Sequence, residues 1–475
     1  MPPIRRNRNQ PKPISVSCTT ILDLHEHCLL DIFGFLSPLD MCSVFDTCQR
    51  FRTVARIHMT SFYRSNELIV GDQATNGIRM LCKFGAAVTK LRMELWRYQH
   101  CKAAFSWFRK LNPKLDSLTL LVKDLNAAHM LRPMLGNLRQ FRIEYVEKGF
   151  SCDIRHEETI KDLLKACKNV EELSFGVKSV CVMGRCAVMG SQHQGIFLHL
   201  KFKRIRSLEI YAVRGFDFNN LKIFLKLNPS VQRISIKRCI GLDQLATFNL
   251  SQYAPNLEAV TLQFKVDLAM YSRPINLPIA SMLSQLEKLK CLALQTCYTG
   301  ITNFIASLAR RNTLVYLSLT HVIHAKNLGL GSAFANMTNL KVLRLHIIFN
   351  FDETEFITQM CKNLVSLEEL HLLSTYITTK GIGVIIENSV NLKKIYFSNN
   401  FAQVEDGVFN KDTYGDFVRM QSRKNVPFPL TLFFSNNCFC VVMVSLRNAL
   451  NRDVINVSEF GLADFDWYNI PHSIL

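Results

Sequence analysis

The stretch Leu340-Lys341-Val342-Leu343-Arg344-Leu345 returns 27 residues later as Leu367-Glu368-Glu369-Leu370-His371-Leu372, and 25 residues after that as Leu392-Lys393-Lys394-Ile395-Tyr396-Phe397. Apolar residues hold the first, fourth and sixth places each time. The last three places alternate apolar, polar, apolar, the pattern of a strand with one buried face. Working back toward the N-terminus, the same frame recurs at Leu314-Leu317-Leu319, Leu289-Leu292-Leu294, Leu257-Val260-Leu262, Val231-Ile234-Ile236 and Ile205-Leu208-Ile210. It continues through Val170-Leu173-Phe175, Leu138-Phe141-Ile143, Leu115-Leu118-Leu120 and Val88-Leu91-Met93. Fainter starts are visible near Leu68-Val70 and Leu432-Phe434.

Twelve clear copies are separated by steps of 23 to 35 residues, centred on about 26. A self-similar period of roughly 20–29 residues is the mark of leucine-rich repeats. The spacers predict helices over Ile301–Arg310, Glu355–Asn363 and Gly381–Asn388. Each repeat is then strand, turn and helix, an α/β unit that cannot bury its own apolar face. Stacking the units makes one continuous core, with a curved parallel sheet inside and helices outside. At a strand spacing of about 4.8 Å the concave face is on the order of 60 Å long, which suits a protein ligand better than a metabolite.

Ahead of the array, Ile21–Met59 reads ILDLHEHCLLDIFGFLSPLDMCSVFDTCQRFRTVARIHM. Leu29, Ile32, Phe33 and Leu36 fall at i, i+3, i+4 and i+7, placing four apolar side chains on one helical face, which Leu22 and Leu24 extend. Ser37-Pro38-Leu39-Asp40 reads as a second helix start, with Ser37 as N-cap, Pro38 in the first turn and Asp40 at the positive end of the dipole. That helix carries Met41, Val44, Phe45 and Cys48, and a third carries Phe51, Val54 and Ile57. A domain of about 40 residues rarely sustains its own core, so some of this apolar surface must be covered by something else.

These residues resemble the F-box, the helical module by which target receptors attach to the Skp adaptor of cullin-based ubiquitin ligases. The resemblance lies in Leu22, Cys28-Leu29-Leu30-Asp31-Ile32-Phe33-Gly34-Phe35-Leu36, Ser37-Pro38-Leu39-Asp40 and Cys48-Gln49-Arg50-Phe51. It implies a short three-helix F-box followed by a leucine-rich-repeat solenoid. It also implies a non-catalytic receptor that binds a Skp-type adaptor, and through it a cullin-RING ligase, by Leu22, Leu24, Cys28, Leu29, Ile32, Phe33, Leu36 and Met41. The domains expected are a basic tail over 1–20, the F-box over 21–60, repeats over 61–429, and terminal repeats with a cap or tail over 430–475. Whether FDWYNIPHSIL at the end packs back onto the array or hangs loose, the sequence leaves open.

Charge separates the two halves. Of the formal net +19, residues 21–60 contribute five acids against three bases, and residues 61–475 carry +17. An acidic or phosphorylated protein target is therefore favoured on electrostatic grounds. The competing reading is a basic scaffold that meets nucleic acid through phosphates, which predicts a uniform basic stripe. Strand alternation instead points a mixed set into the concave space: Arg92 and Glu94, Arg142 and Glu144, Glu209 and Tyr211, Arg233, Ser235 and Lys237, Arg344 and His346, then Glu369, His371, Lys394 and Tyr396. Of these, Arg92, Arg142, Tyr211, Arg233, Lys237, Arg344, His346, His371 and Tyr396 are the candidate target contacts, arginine and aromatic side chains being the usual anchors. His346 and His371 are expected to lie side by side.

No P-loop, G-x-G-x-x-G, H-E-x-x-H or G-x-S-x-G occurs, which argues against an enzyme and against a bound cofactor. The irregular step at 181–195 brings Cys181, Cys186 and His193 together without the paired spacing of a zinc site, so it reads as an insertion loop and a candidate target contact. No apolar run is long enough to span a bilayer; Cys438–Leu446 is the longest. With no secretory h-region and 16 cysteines in no framework spacing, an intracellular location is expected; Arg5-Arg6-Asn7-Arg8 reads either as a solubilising tail or as a weak nuclear signal, which leaves cytoplasm versus nucleus open.

Overall fold

The computed structural model describes residues 20–71, 75–95, 115–122, 128–147, 154–179, 198–213, 216–239, 249–264, 276–295, 301–310, 312–323, 330–348, 353–373, 377–398, 411–424, 428–435 and 453–460, with positions 195, 426, 442, 446, 470 and 474. Residues 1–19 and the 181–194 part of the insertion loop, with its Cys181, Cys186 and His193, lie outside them.

The described strands are β1 (Leu68–Gly71), β2 (Lys90–Leu95), β3 (Ser117–Val122), β4 (Gln140–Glu147) and β5 (Glu172–Ser179). They continue as β6 (Ser207–Tyr211), β7 (Arg233–Cys239), β8 (Ala259–Phe264), β9 (Cys291–Gln295) and β10 (Tyr316–Ile323). The last five are β11 (Val342–Ile348), β12 (Glu369–Leu373), β13 (Lys394–Ser398), β14 (Leu430–Ser435) and β15 (Ile455–Phe460). They form one parallel sheet in strict chain order. Parallel neighbours need a crossover, and the three spacers the sequence marked supply it as helices: Ile301–Ala309, Glu353–Asn363 and Thr379–Asn388.

Register follows the repeat frame. The fourth place of each copy pairs with the fourth place of the next, as in Leu292↔Leu317↔Leu343↔Leu370↔Ile395↔Leu432. These residues and the sixth-place residues are buried against the helices, and one core cluster runs from Leu29 to Ile455. Helices pack roughly 8–10 Å apart and strands about 4.8 Å apart, so the stack bends toward its sheet. This is an α/β leucine-rich-repeat solenoid. β15 went unseen in the sequence; it pairs Val457 with Leu432, the ordinary 25-residue step.

The N-terminal helices are α1 (Glu26–Gly34), α2 (Pro38–Thr47), α3 (Gln49–Ser65) and α4 (Thr75–Phe84), preceded by a 3-10 turn at Ile21–Asp23. Pro38 opens α2, and the Ser37 hydroxyl accepts the Asp40 N–H at 3.2 Å, as the local sequence requires. Leu29, Phe33, Met41, Val54 and Met59 meet inside, where Phe33 packs edge-to-face on Phe51 at 5.4 Å. The far side of α2 is taken up by α4, the first helix of the array. Cys42 donates to the Met80 sulfur at 3.0 Å, Phe45 meets Phe84 edge-to-face at 5.2 Å, and Lys83 reaches both the Asp46 carboxylate and the Cys42 carbonyl. Part of the module's apolar surface is thus covered by the chain itself, and module and array share a core.

Candidate functional site

Two surfaces stand out, one on the N-terminal module and one on the concave face of the sheet. On the module, Phe35 is 92% exposed and Ile32, one turn before it, 40% exposed. Ile21 and Leu22 in the preceding turn and Leu39 at the start of α2 are exposed as well. Arg50 of α3 fixes that turn by donating to the carbonyls of Leu22 and Leu24, and Asp23 caps it by accepting the Thr20 N–H at 2.7 Å. The Thr20 contacts hold the Asp23 carboxyl below its ordinary range. Five large apolar side chains within 19 residues therefore point outward from a rigid support.

The expected adaptor contacts divide. Leu22, Cys28 and Ile32 are exposed, while Leu24 and Leu36 are half-buried. Leu29, Phe33 and Met41 are buried and offer no surface, which corrects their assignment as docking residues. The reason is physical: the strongest helical periodicity reports the stripe that faces the module's own core, and the exposed stripe lies beside it. Ile21, Phe35 and Leu39 are exposed on the module and were not among the expected contacts. Helical spacing could not have found them, because α1 ends at Gly34 and Ser37 is the extended N-cap of α2, so Ile32, Phe35 and Leu39 do not share one helix face.

Register sets out the concave face row by row. Its central row runs Arg92, Thr119, Arg142, Ser174, Glu209, Ser235, Thr261, Ala293, Ser318, Arg344, His371, Tyr396, Phe433. The candidate contacts accordingly lie on this face, but Arg344 is the register partner of His371, and His346 that of Leu373. The two histidines are not side by side, because matching Leu343 with Leu370 offsets them by two places.

Three zones follow along the row. Over β2–β7 the cations are tied to carboxylates: Arg92 to Glu94 at 3.0 Å, Arg142 to Glu144 at 2.7 Å, Arg233 to Glu172 at 3.0 Å and Lys237 to Glu209 at 3.2 Å. Burial pushes the Glu209 carboxyl up, but Lys237, Arg142 and the Ser174 hydroxyl outweigh it and hold it below its usual value. Tyr211 accepts a hydrogen bond from Arg238 at 2.7 Å. This zone is charge-balanced and unlike the basic stripe a phosphate backbone calls for.

Over β12–β14 lies an aromatic ladder: His371 stacks on Tyr396 at 4.1 Å, and Tyr396 on Phe433 at 4.3 Å. His371 is 1% exposed, and burial pushes its imidazole down to about 4, so it is neutral at pH 7. Glu369, beside His371 and bonded to Lys394 at 2.7 Å, is held down to about 2.

Between these, β8–β11 carry a second apolar cluster on the concave side, formed by Ala259, Cys291, Ala293, Tyr316 and Val342, with Ile470 and Ile474 from the C-terminal segment packed on it. The open choice for that segment is thereby decided at these two residues. Thr261, Gln295, Ser318, Thr320 and Arg344, all concave-side residues, are buried here, and β9 is buried on both faces. Among the described residues, no cluster of metal-ligating side chains and no helix long and apolar enough to cross a membrane occurs.

No family model and no curated protein sequence matches the chain. Among solved structures it is similar to the Rad7 and Elc1 complex in yeast, at 13% identity and TM-score 0.41, over 91% of this chain and 90% of that one. It is also similar to an internalin (inlF) from Listeria monocytogenes, at 13% identity and TM-score 0.29, over 75% of this chain and 82% of that one. An internalin C2 from the same bacterium matches at 14% identity and TM-score 0.28, over 51% of this chain and 83% of that one. The fold assignment rests instead on the chain's own repeat period, register and core.

Proposed function

We propose that this chain is the target-recognition subunit of a cullin-type ubiquitin ligase, docked to a Skp-type adaptor through the N-terminal helices and to a protein target through the repeats. The observation that carries the reading is the outer face of the module. A terminal unit that only closes a solenoid needs a polar outer surface. Here α2 covers the first repeat through Met41, Cys42 and Phe45, yet Ile21, Leu22, Ile32, Phe35 and Leu39 remain exposed on the other side. Apolar side chains concentrated on one small module mark a protein interface.

The receptor performs no covalent step in this reading. It raises the effective concentration of a target lysine near the loaded conjugating enzyme, making the transfer nearly intramolecular. A shared core serves that task, because Phe45–Phe84 and Lys83–Asp46 keep the module from swinging relative to the array. The chain would act inside the cell, in the cytoplasm or the nucleus. Co-purification of the full chain with a Skp-type adaptor tests the reading, and failure of the wild-type chain to retain the adaptor removes it.

A further inference from the structure

The apolar trough of β8–β11 does not follow from the repeat frame. The frame needs apolar residues at the places that face the helices. The places that face the concave side are set by whatever the sheet meets there. Over β2–β7 those places hold arginine, glutamate, serine and threonine. Over β8–β11 they hold Ala259, Cys291, Tyr316 and Val342 in one row, matched in register, with Ala293 beside them. An apolar strip of this kind, exposed, costs solubility and returns nothing to the core; covered, it is a recognition surface.

What covers it identifies the chemistry. Ile470 is 8% exposed and Ile474 half-buried against the same cluster. Cys291 and Ala293 are small enough to make room for an aliphatic side chain, Tyr316 forms one wall, and the Arg344 guanidinium sits over the Tyr316 ring at 5.3 Å. The segment that supplies the two isoleucines, residues 461–475, contains Asp464 and Asp466 and neither lysine nor arginine, opposite in sign to the +17 of residues 61–475. Charge and shape both favour such a segment on this sheet.

We propose that the trough across β8–β11 is a peptide-binding site. Ile470 and Ile474 occupy it in cis, and a target protein enters it with a segment of the same chemistry: two aliphatic anchors four residues apart, acidic neighbours and no bases. This deepens the reading of the array as the target-binding half and rests on it. Because the resident segment is tethered, its effective concentration is in the millimolar range, so a target must displace it and weak encounters are rejected.

The test uses the full-length chain and a fluorescein-labelled synthetic peptide spanning 461–475, followed by fluorescence anisotropy without any adaptor. Wild type, its trough filled, binds the probe weakly. Ile470→Glu with Ile474→Glu puts charge into the apolar strip, empties it, and tightens probe binding by about tenfold or more. Adding Ala293→Arg to that variant fills the trough from the sheet side and abolishes binding; Val342→Glu serves the same purpose if Ala293→Arg does not fold. Equal binding by wild type and the double isoleucine variant overturns the proposal, whether both bind or neither does. So does binding that survives the trough substitution in a folded protein. A failed ligase reading shows instead as loss of adaptor capture by wild type, with the peptide result intact.

Discussion

His371 makes stability depend on pH between its ordinary and its folded-state value. Its folded-state value is about 4 against an ordinary 6.5, because burial disfavours the imidazolium. Glu369 opposes that shift, while Arg344 and Lys394 reinforce it, and Tyr396 stacks on the ring. Above pH 6.5 the residue is neutral in both states and costs nothing. As pH falls below 6.5 the unfolded chain takes up a proton that the folded chain refuses, so stability is lost until the folded value is reached. The loss works out at about 2 kcal/mol at pH 5 and approaches about 3 kcal/mol near pH 4. Glu369, lowered to about 2, contributes stability lost only as pH falls through its ordinary 4.5, so the interval from 6.5 to 5 isolates the histidine. Urea denaturation of wild type and His371→Gln across that interval measures the difference, since other groups cancel between the two proteins. Parallel pH dependences would refute the burial of a neutral imidazole at this position.

Three further outcomes follow from burial and hydrogen bonding. Leu29→Ala removes a fully buried side chain from the module's core and costs about 2–5 kcal/mol, whereas Phe35→Ala changes the unfolding free energy by less than about 0.5 kcal/mol, both read by chemical denaturation. Asn228 is buried, accepting the Phe202 N–H at 2.7 Å and donating to the carbonyls of Leu200 and Phe224 at 2.8 Å. Asn228→Ala strands these backbone groups and lowers stability by about 3 kcal/mol, with hydrogen exchange rising first at 198–205. Cys291 is buried under Ile470 and its thiol is pushed up to about 12, so iodoacetamide leaves it unmodified in the wild type. In Ile470→Glu/Ile474→Glu it reacts at least about tenfold faster by mass spectrometry, as an exposed thiol regains its ordinary acidity.

The repeat architecture was legible because a six-place frame with apolar residues at one, four and six maps directly onto a strand with one buried face. Register followed, since each copy must present the same places to the same core. β15 was missed because its copy, Val454-Ile455-Asn456-Val457-Ser458-Glu459, is apolar at the first and fourth places but carries a glutamate at the sixth. The exposed face of the module was half legible. Periodicity found Leu29, Phe33 and Met41, which are apolar because the module folds around them, and passed over Phe35, which is 92% exposed. The trough was also written in the sequence, as Ala259, Cys291, Tyr316 and Val342 standing where β2–β7 carry polar side chains. A search for binding residues that looks for arginine and tyrosine does not register alanine. His346 and His371 were set side by side by position after the strand, and only the strand register separates them.

The central claim is that the exposed stripe of the N-terminal helices docks an adaptor, and one binding measurement addresses it. Titration calorimetry of a purified Skp-type adaptor against the full-length chain is run with wild type, Ile32→Asp/Phe35→Asp, and Glu355→Lys, an exposed position on the array, as a control. The account predicts tight binding by wild type and control. The double variant should bind at least about a hundredfold more weakly, with an unchanged unfolding midpoint, because two exposed apolar anchors worth about 1.5–3 kcal/mol each are replaced by charge. Equal affinity for wild type and the double variant, or no heat from wild type at all, contradicts it.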